Sequence, residues 1–461
     1  MNTTHAGTGA SADIGQILDD GPWTTMQKIV VFLAALSIVM DGFDGQLIGF
    51  AVPVLIKEWG ITRGDFAPAL AAGLVGMGIG SAFAGLLADR FGRRSAVIGS
   101  VFLFGIATCT IGFSPNLLTI GVLRFIAGLG IGGALPSSTT ITAEFTPFRR
   151  RTMAITATIV CVPLGGMIAG VFASFVLPVL GWRALFFLGG LLPIALGVAL
   201  ALGLPESPRF LARHPGRWPE LTKLLGRMSR PMTADTAFTD IAEHKFEQRQ
   251  GFLALFEQGR ARDTIAIWCA FFLSLLAVYS AFSWLPTMLV GEGLSLAVAS
   301  SGLTAYNLGG VFGALACAWA ITRFGSRWPL VLCCAGAAAS AFFLLETANV
   351  TQNPNLLIFG FGIHGLFVNA VQSTMYAVCA YVYPTTVRAT GTASALAFGR
   401  LGAILSAFAG AWVITAGGAS AYLTMLGLAM VGVLVALMVV RRHIPSLRRR
   451  GGVIGAIVAG H

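Results

Sequence analysis

The stretch 37–50, "SIVMDGFDGQLIGF", carries two aspartates, Asp41 and Asp44, inside a long apolar run. A carboxylate in hydrocarbon is costly and marks function by default. The i, i+3 spacing puts both on one face of a helix. Counted from Lys28 at 1.5 Å per residue, they lie about 20 and 24 Å along it, near mid-membrane and just beyond. Burial favours the protonated form of a carboxylate, and a second carboxylate nearby favours it further. Such a pair can take up and release a proton, so Asp41 and Asp44 are the candidate proton-coupling residues, with the choice between them open. The plainer alternative is that one of them only stabilises a helix end or a neighbouring arginine.

Two arginines lie in similar settings. Arg124 stands in "RFIAGLGIGG", among glycines that let helices pack closely. A buried arginine needs a partner, and the aspartates of the first apolar run are the obvious one. Protonating the acid would release Arg124, and an anionic substrate could recapture it; a permanent clamp between two helices is the alternative. Arg400, in "AFGRLGAILS", is the only charge inside its apolar run. A planar, always-charged fork is the best side chain for a carboxylate, so Arg400 is the first choice for a substrate's acid group.

The elements that position these groups follow from composition. Of 461 residues, 56% are hydrophobic and only 11% charged, which with recurring long apolar runs indicates an all-α membrane protein. Twelve helices are expected, near 29–53, 67–88, 95–113, 117–140, 153–177, 183–204, 265–289, 297–320, 328–347, 355–380, 390–414 and 420–440. They fall into two six-helix bundles, 29–204 and 264–440. Residues 1–28 read as a polar N-terminal tail, 205–263 as a solvated, partly helical linker, and 441–461 as a C-terminal tail. Of the thirty Lys and Arg, Lys57, Arg63 and Arg183 fall on one side, Arg124 and Arg400 within helices, and the other twenty-five on the side of the tails. That asymmetry places both termini in the cytoplasm. The same pattern explains the net charge of +11 without nucleic acid. The seven cysteines show neither metal-ligand spacing nor a disulfide framework.

The halves repeat. "GSAFAGLLADRFGRR" from Gly80 matches "GALACAWAITRFGSR" from Gly313, an offset of 233; "EFTPFRRRT" answers "YVYPTTVRA", and "PLGG" from Pro163 answers "RLGA" from Arg400, at offset 237. Parallel repeats put a substrate site at the midplane between them, reached by alternating access.

"GLLADRFGRR" resembles the signature of the major facilitator superfamily, over roughly residues 25–442. "DGFD", Arg124, Glu144 before "RRR", "WLPT" from Trp284, Arg388 and Arg400 resemble its aromatic acid:proton symporter family. The resemblance implies import of aromatic carboxylates such as hydroxybenzoates with protons, across the inner membrane of a bacterium, by a monomer without a cofactor. One departure is Thr322, where that family usually has an acid in the loop after the eighth helix. A breakable latch is expected from Gly85, Asp89, Arg90, Gly92, Arg93, Arg94, Glu144 and Arg388. In it Asp89 caps a neighbouring helix and pairs with arginine, while Gly85 and Gly92 permit close approach and a tight turn. Tyr279, Ser283, Trp284, Asn307, His364, Asn369, Gln372 and Tyr376 complete the candidate pocket, rings against ring. The plainer readings make Trp284 a membrane-interface residue and the amides glue between helices.

Competing functions are weaker. An efflux antiporter would also need a membrane acid, but an arginine in each half suits an anion better. "PESPRF" from Pro205 resembles sugar symporters, whose sites want amides and few buried arginines. No Walker motif supports a primary pump, and no nucleophile–base pair or metal cluster supports an enzyme.

Overall fold

Ten helices are long and apolar enough to cross a bilayer among the described residues. Two of them, Phe148–Gly203 with 56 residues and Arg388–Val439 with 52, are too long for one crossing. Each breaks at glycine in the left-handed region: Gly181 at φ 75° and Gly418 at φ 58°. Counting both sides of each break gives twelve spans, the number that the apolar runs predict. The spans are Thr25–Trp59, Arg63–Phe91, Arg93–Ile111, Leu117–Phe145, 148–180, 182–203, Ala261–Gly291, Leu296–Phe324, Arg327–Ala348, Pro354–Val382, 388–416 and 419–439. This computed structural model describes residues 12–233, 236–240, 252–257, 259–348, 353–384 and 387–446. The rest of the expected tails and linker lies outside them.

The helices outrun the apolar runs because polar residues close their ends. The first span starts at a capping box in which Thr24 and Gln27 satisfy each other's backbone N–H groups, and the second at a like box between Thr62 and Asp65.

The duplication is written into glycine contacts. In the first half, a Cβ on Gly76 or Gly80 of the second span would stand 2.2 or 2.1 Å from the carbonyl of Phe125 or Leu129 of the fourth. The counterparts 233 residues on, Gly309 and Gly313, meet the carbonyls of Gly362 and Leu366 at 1.9 Å. Gly165 meets the Val39 carbonyl of the first span at 2.0 Å, and Gly402 meets the Phe272 carbonyl of the seventh at 2.1 Å. The matched segments "PLGG" and "RLGA" therefore pack in the same way, and Arg400 occupies the place of Pro163. In the first-to-seventh helix register, Asp41 corresponds to Ser274 and Asp44 to Ala277. Asp41 and Asp44 therefore belong to one half and Arg400 to the other.

Such contacts leave no room for a side chain. Gly80→Val is expected to force the second and fourth spans apart at a cost of about 1–3 kcal/mol or more, lowering the melting temperature of the detergent-purified protein. At Gly85 an added Cβ meets nothing within 4 Å, so Gly85→Ala should melt as the unaltered protein does. Equal melting of the two variants would deny that the glycine seams hold the bundle.

The segment between the halves is not simply solvated. Residues 205–233 and 236–240 fold onto the first half, with the amphipathic helix Trp218–Arg227 burying Leu221, Leu224 and Leu225. A short helix, Ile14–Asp20, packs against Pro208–Ala212, and a two-residue parallel pairing joins Ala12–Asp13 to Phe238–Thr239. Arg230 Nη2 donates to the carbonyls of Leu18 and Pro22, at 3.2 and 3.4 Å, and Arg151 pairs with Asp19. Residues 252–257 go with the second half instead: Thr264 Oγ1 donates to Leu255 O at 2.9 Å. We call the membrane face that carries these segments the basic face.

Candidate functional site

The first span passes its two aspartates to different neighbours. Asp44 is fully buried and lies 3.8 Å from Arg124 Nη1 across the first half. Arg124 also reaches the carbonyls of Asp44 and Gly45 at 3.4 and 3.5 Å. Gly73 on the second span lies alongside it, where a Cβ would stand 3.4 Å from Arg124 Nε. Asp41, one turn toward the basic face, makes no ion pair within 4 Å among the described residues. It shares an electrostatic neighbourhood with Arg400 and Tyr376 of the other half.

Arg400 stands opposite. Its Nη1 donates to Tyr279 Oη at 2.9 Å and touches Met77 Sδ at 2.6 Å. Its guanidinium carbon is 5.9 Å from the centre of the Tyr279 ring. Among the described residues it has no carboxylate within ion-pair distance. Tyr376 and Gln372 adjoin this cluster: Tyr376 packs edge-on against Phe271 at 5.6 Å, and Gln372 accepts from Ser274 Oγ at 2.7 Å. The site is thus Asp41 and Met77 from one half and Tyr279, Gln372, Tyr376 and Arg400 from the other. It offers a cation, an acid that can be neutralised by a proton, two hydroxyls and aromatic walls.

The other expected pocket residues lie elsewhere. Trp284 is buried rather than at a membrane interface, and its indole N–H donates to Ala407 O at 3.0 Å, tying the seventh span to the eleventh. His364 faces the ninth span, 2.9 Å from Ser340 Oγ and 3.1 Å from Ala337 O. Asn369 donates to Gly365 O at 3.1 Å and fills the space over Gly310, inside the second half. Ser283 is buried beside Gly49 of the first span.

Asn307 forms a clasp between the halves. Its Nδ2 donates to Gln46 Oε1 at 2.7 Å, and Gln46 Nε2 donates back to Asn307 Oδ1 at 3.1 Å. Both side chains are buried. Around them, a Cβ on Gly49 would stand 2.0 Å from Phe282 O, and one on Gly170 2.0 Å from Thr304 Oγ1. All of these lie on the side of the site away from the basic face. Among the described residues, hydrogen bonds cross between the halves only at this clasp and at Met77. Among the described residues, the structure is sealed on the far face and no hydrogen bond joins the halves on the basic face.

The signature loop fits that state. Asp89, near the end of the second span, pairs at 2.5 Å with Arg93, the first residue of the third. Arg90 lies 5.3 Å from the ring of Phe91, and Arg93 Nε is 3.8 Å from Glu144. Gly92 takes φ 97°, and a Cβ there would strike Glu206 at 2.1 Å. Gly85, by contrast, faces open space. Arg94 N donates to Glu206 Oε1 at 3.0 Å, and Ser207 Oγ donates to Glu144. "PESPRF" therefore docks the end of the sixth span against the signature loop. Arg388 is exposed and donates to Tyr383 O at 3.3 Å. Thr322 bonds back to Trp319 O of its own helix at 2.6 Å, while Arg323 lies 5.7 Å from the Trp319 ring.

Four residues of these networks escape a reading of the sequence alone. Glu206 and Ser207 were visible only as a motif. Gln46 carried a signal, as a third polar group in the Asp41–Asp44 run. Met77 carried none, since methionine in an apolar helix is ordinary.

Two pseudo-symmetric six-span halves, sealed on one face around facing ionisable groups, make a membrane transporter rather than an enzyme. The Major Facilitator Superfamily model matches residues 34–303 and 267–456. The chain belongs to the major facilitator superfamily, in its branch of aromatic acid transporters. It is 33% identical to the 4-hydroxybenzoate transporter PcaK of Pseudomonas putida, over 94% of this chain and 98% of that one. It is 32% identical to the gallate transporter of the same organism, over 91% and 93% of the two chains. The gentisate transporter of Corynebacterium glutamicum is 34% identical, over 82% and 79%. The fold is also that of the E. coli xylose transporter XylE in its partially occluded inward open conformation, with a TM-score of 0.73 at 17% identity over 91% of this chain and 99% of that one.

The clasp predicts a shift of state. Replacing Gln46 and Asn307 together with alanine removes two hydrogen bonds, each worth about 0.5–1.5 kcal/mol net. The form open to the far face should then gain roughly 5- to 150-fold in population. The measurement is labelling of Ser283→Cys by an impermeant thiol reagent from the far face, in a chain whose own cysteines are replaced. An unchanged labelling rate would mean that the clasp does not hold the gate.

Proposed function

We propose that this chain imports hydroxylated benzoates together with protons across the inner membrane of a bacterium, as a monomer, with the basic face and both termini in the cytoplasm. The observation that carries the reading is Arg400: a cation between the halves, held among the described residues by a phenol and a thioether and sharing its surroundings with Asp41. A benzoate entering the site replaces those weak partners with a bidentate carboxylate, and its ring lies against Tyr279 and Tyr376. The relatives named for 4-hydroxybenzoate and gallate transport support this choice, because the two compounds share a ring carboxylate and differ in ring hydroxyls.

Asp41 carries the coupled proton in this scheme. An ionised Asp41 competes with the substrate for Arg400, and a protonated one does not. Substrate and proton therefore load together, and release of one toward the cytoplasm frees the other. Asp44 keeps its charge for Arg124, and that pair holds the first and fourth spans in register. Asp89, Arg93, Arg94, Glu144 and Arg388 act on the cytoplasmic side, remaking contacts when the halves rock together there.

Uptake of labelled 4-hydroxybenzoate into proteoliposomes tests the reading. Accumulation should require an inwardly directed proton gradient and should collapse with a protonophore. Accumulation that survives the protonophore would remove proton coupling. Failure of every hydroxybenzoate to enter, in vesicles that transport another anion, would remove the substrate class.

A further inference from the structure

We propose that Met77 is a specificity-determining residue, which excludes ring substituents ortho to the substrate carboxylate; this rests on the reading that Arg400 binds that carboxylate. The evidence is a triangle of three atoms. Arg400 Nη1 lies 2.6 Å from Met77 Sδ and 2.9 Å from Tyr279 Oη, and that hydroxyl lies 3.3 Å from the same sulfur. Two corners belong to the second half and one to the first. A thioether is a weak acceptor, so Met77 occupies an N–H of the guanidinium without binding it strongly.

The post that carries this side chain is rigid. On the fourth span, a Cβ on Gly132 would strike Met77 O at 2.1 Å, and one on Gly128 would strike Met77 N at 2.9 Å. The Met77 backbone therefore cannot retreat from the site. Its side chain, unbranched and with three rotatable bonds, can swing. When a carboxylate takes Nη1, the thioether is displaced sideways but stays within reach of the carboxylate's neighbours. An ortho substituent projects beside the carboxylate oxygens, into the space the sulfur needs. A para substituent points across the ring, away from Met77. Bulk at position 77 thus reads the ortho position and ignores the para position.

The test compares binding of 2-hydroxybenzoate, 4-hydroxybenzoate and 4-hydroxybenzamide to detergent-purified protein by calorimetry. In Met77→Ala the ratio of dissociation constants, ortho over para, should fall about tenfold or more, the scale set by one or two methylenes of pocket space. Met77→Leu, which keeps the bulk, should hold the ratio close to that of the unaltered protein. Met77→Val, intermediate in size, should fall between them and serves if the alanine variant does not fold. A ratio that stays constant across folded variants would overturn the proposal while carboxylate binding persists. Equal binding of the acid and its amide by the unaltered protein would instead overturn the assignment of Arg400, and the two failures are told apart by that control.

Discussion

Arg400→Ala is expected to weaken binding of 4-hydroxybenzoate more than a hundredfold, and Arg400→Lys by roughly 10- to 150-fold, about 1.5–3 kcal/mol. The lysine keeps the charge and loses the planar fork, so the difference between the two variants separates charge from geometry. The cost is large because the rest of the pocket supplies hydroxyls and rings but no second cation: Arg124, on the fourth span of the first half, is engaged by Asp44 at 3.8 Å. 4-Hydroxybenzamide supplies the control. It should bind the unaltered protein poorly and lose little more in Arg400→Ala. Equal losses for acid and amide would make Arg400 a packing residue and move the anion site to Arg124.

The two aspartates should fail differently when each is replaced by asparagine. Asp41→Asn mimics a permanently protonated acid. Concentrative uptake should disappear, while exchange of labelled for unlabelled substrate across vesicles without a gradient continues. Asp44→Asn strikes the folded state instead, because it leaves Arg124 buried without its counter-charge. Breaking one side of a buried pair costs about 3–5 kcal/mol, so this variant should show a lowered melting temperature and a reduced yield of folded protein. Thermal melts and paired uptake and exchange assays read both. If Asp44→Asn melts normally and exchanges without accumulating, the roles of the two acids are reversed.

The spans were legible because a bilayer demands about twenty apolar residues in a row, and this chain obeys it throughout. The duplication was legible too, since Gly80 and Gly313, or Gly165 and Gly402, must recur where backbones touch. Arg400 and the aspartates stood out because charge in an apolar helix is costly. The polar residues of the second half were harder. Trp284, Asn307 and His364 all sit in apolar helices, yet each is consumed by a partner on a neighbouring span: a carbonyl at Ala407, the amide of Gln46, the hydroxyl of Ser340. Nothing in a sequence tells whether a buried polar group faces a cavity or another helix, because that depends on helix rotation, and here glycine seams set the rotation. The linker misled for a related reason. Its charges read as solvent exposure, whereas Glu206 accepts from Arg94 N and Arg230 Nη2 donates to Leu18 O, backbone groups far away in the chain.

The most direct measurement is the count of protons taken from a weakly buffered medium when 4-hydroxybenzoate binds the purified protein, followed with a pH indicator above neutrality. The unaltered protein should take up protons in step with binding, Asp41→Asn should bind without taking any up, and folded Asp44→Asn should behave as the unaltered protein does. Binding by the unaltered protein with no proton uptake, or full uptake by Asp41→Asn, would contradict the placing of the coupled proton on Asp41 opposite Arg400.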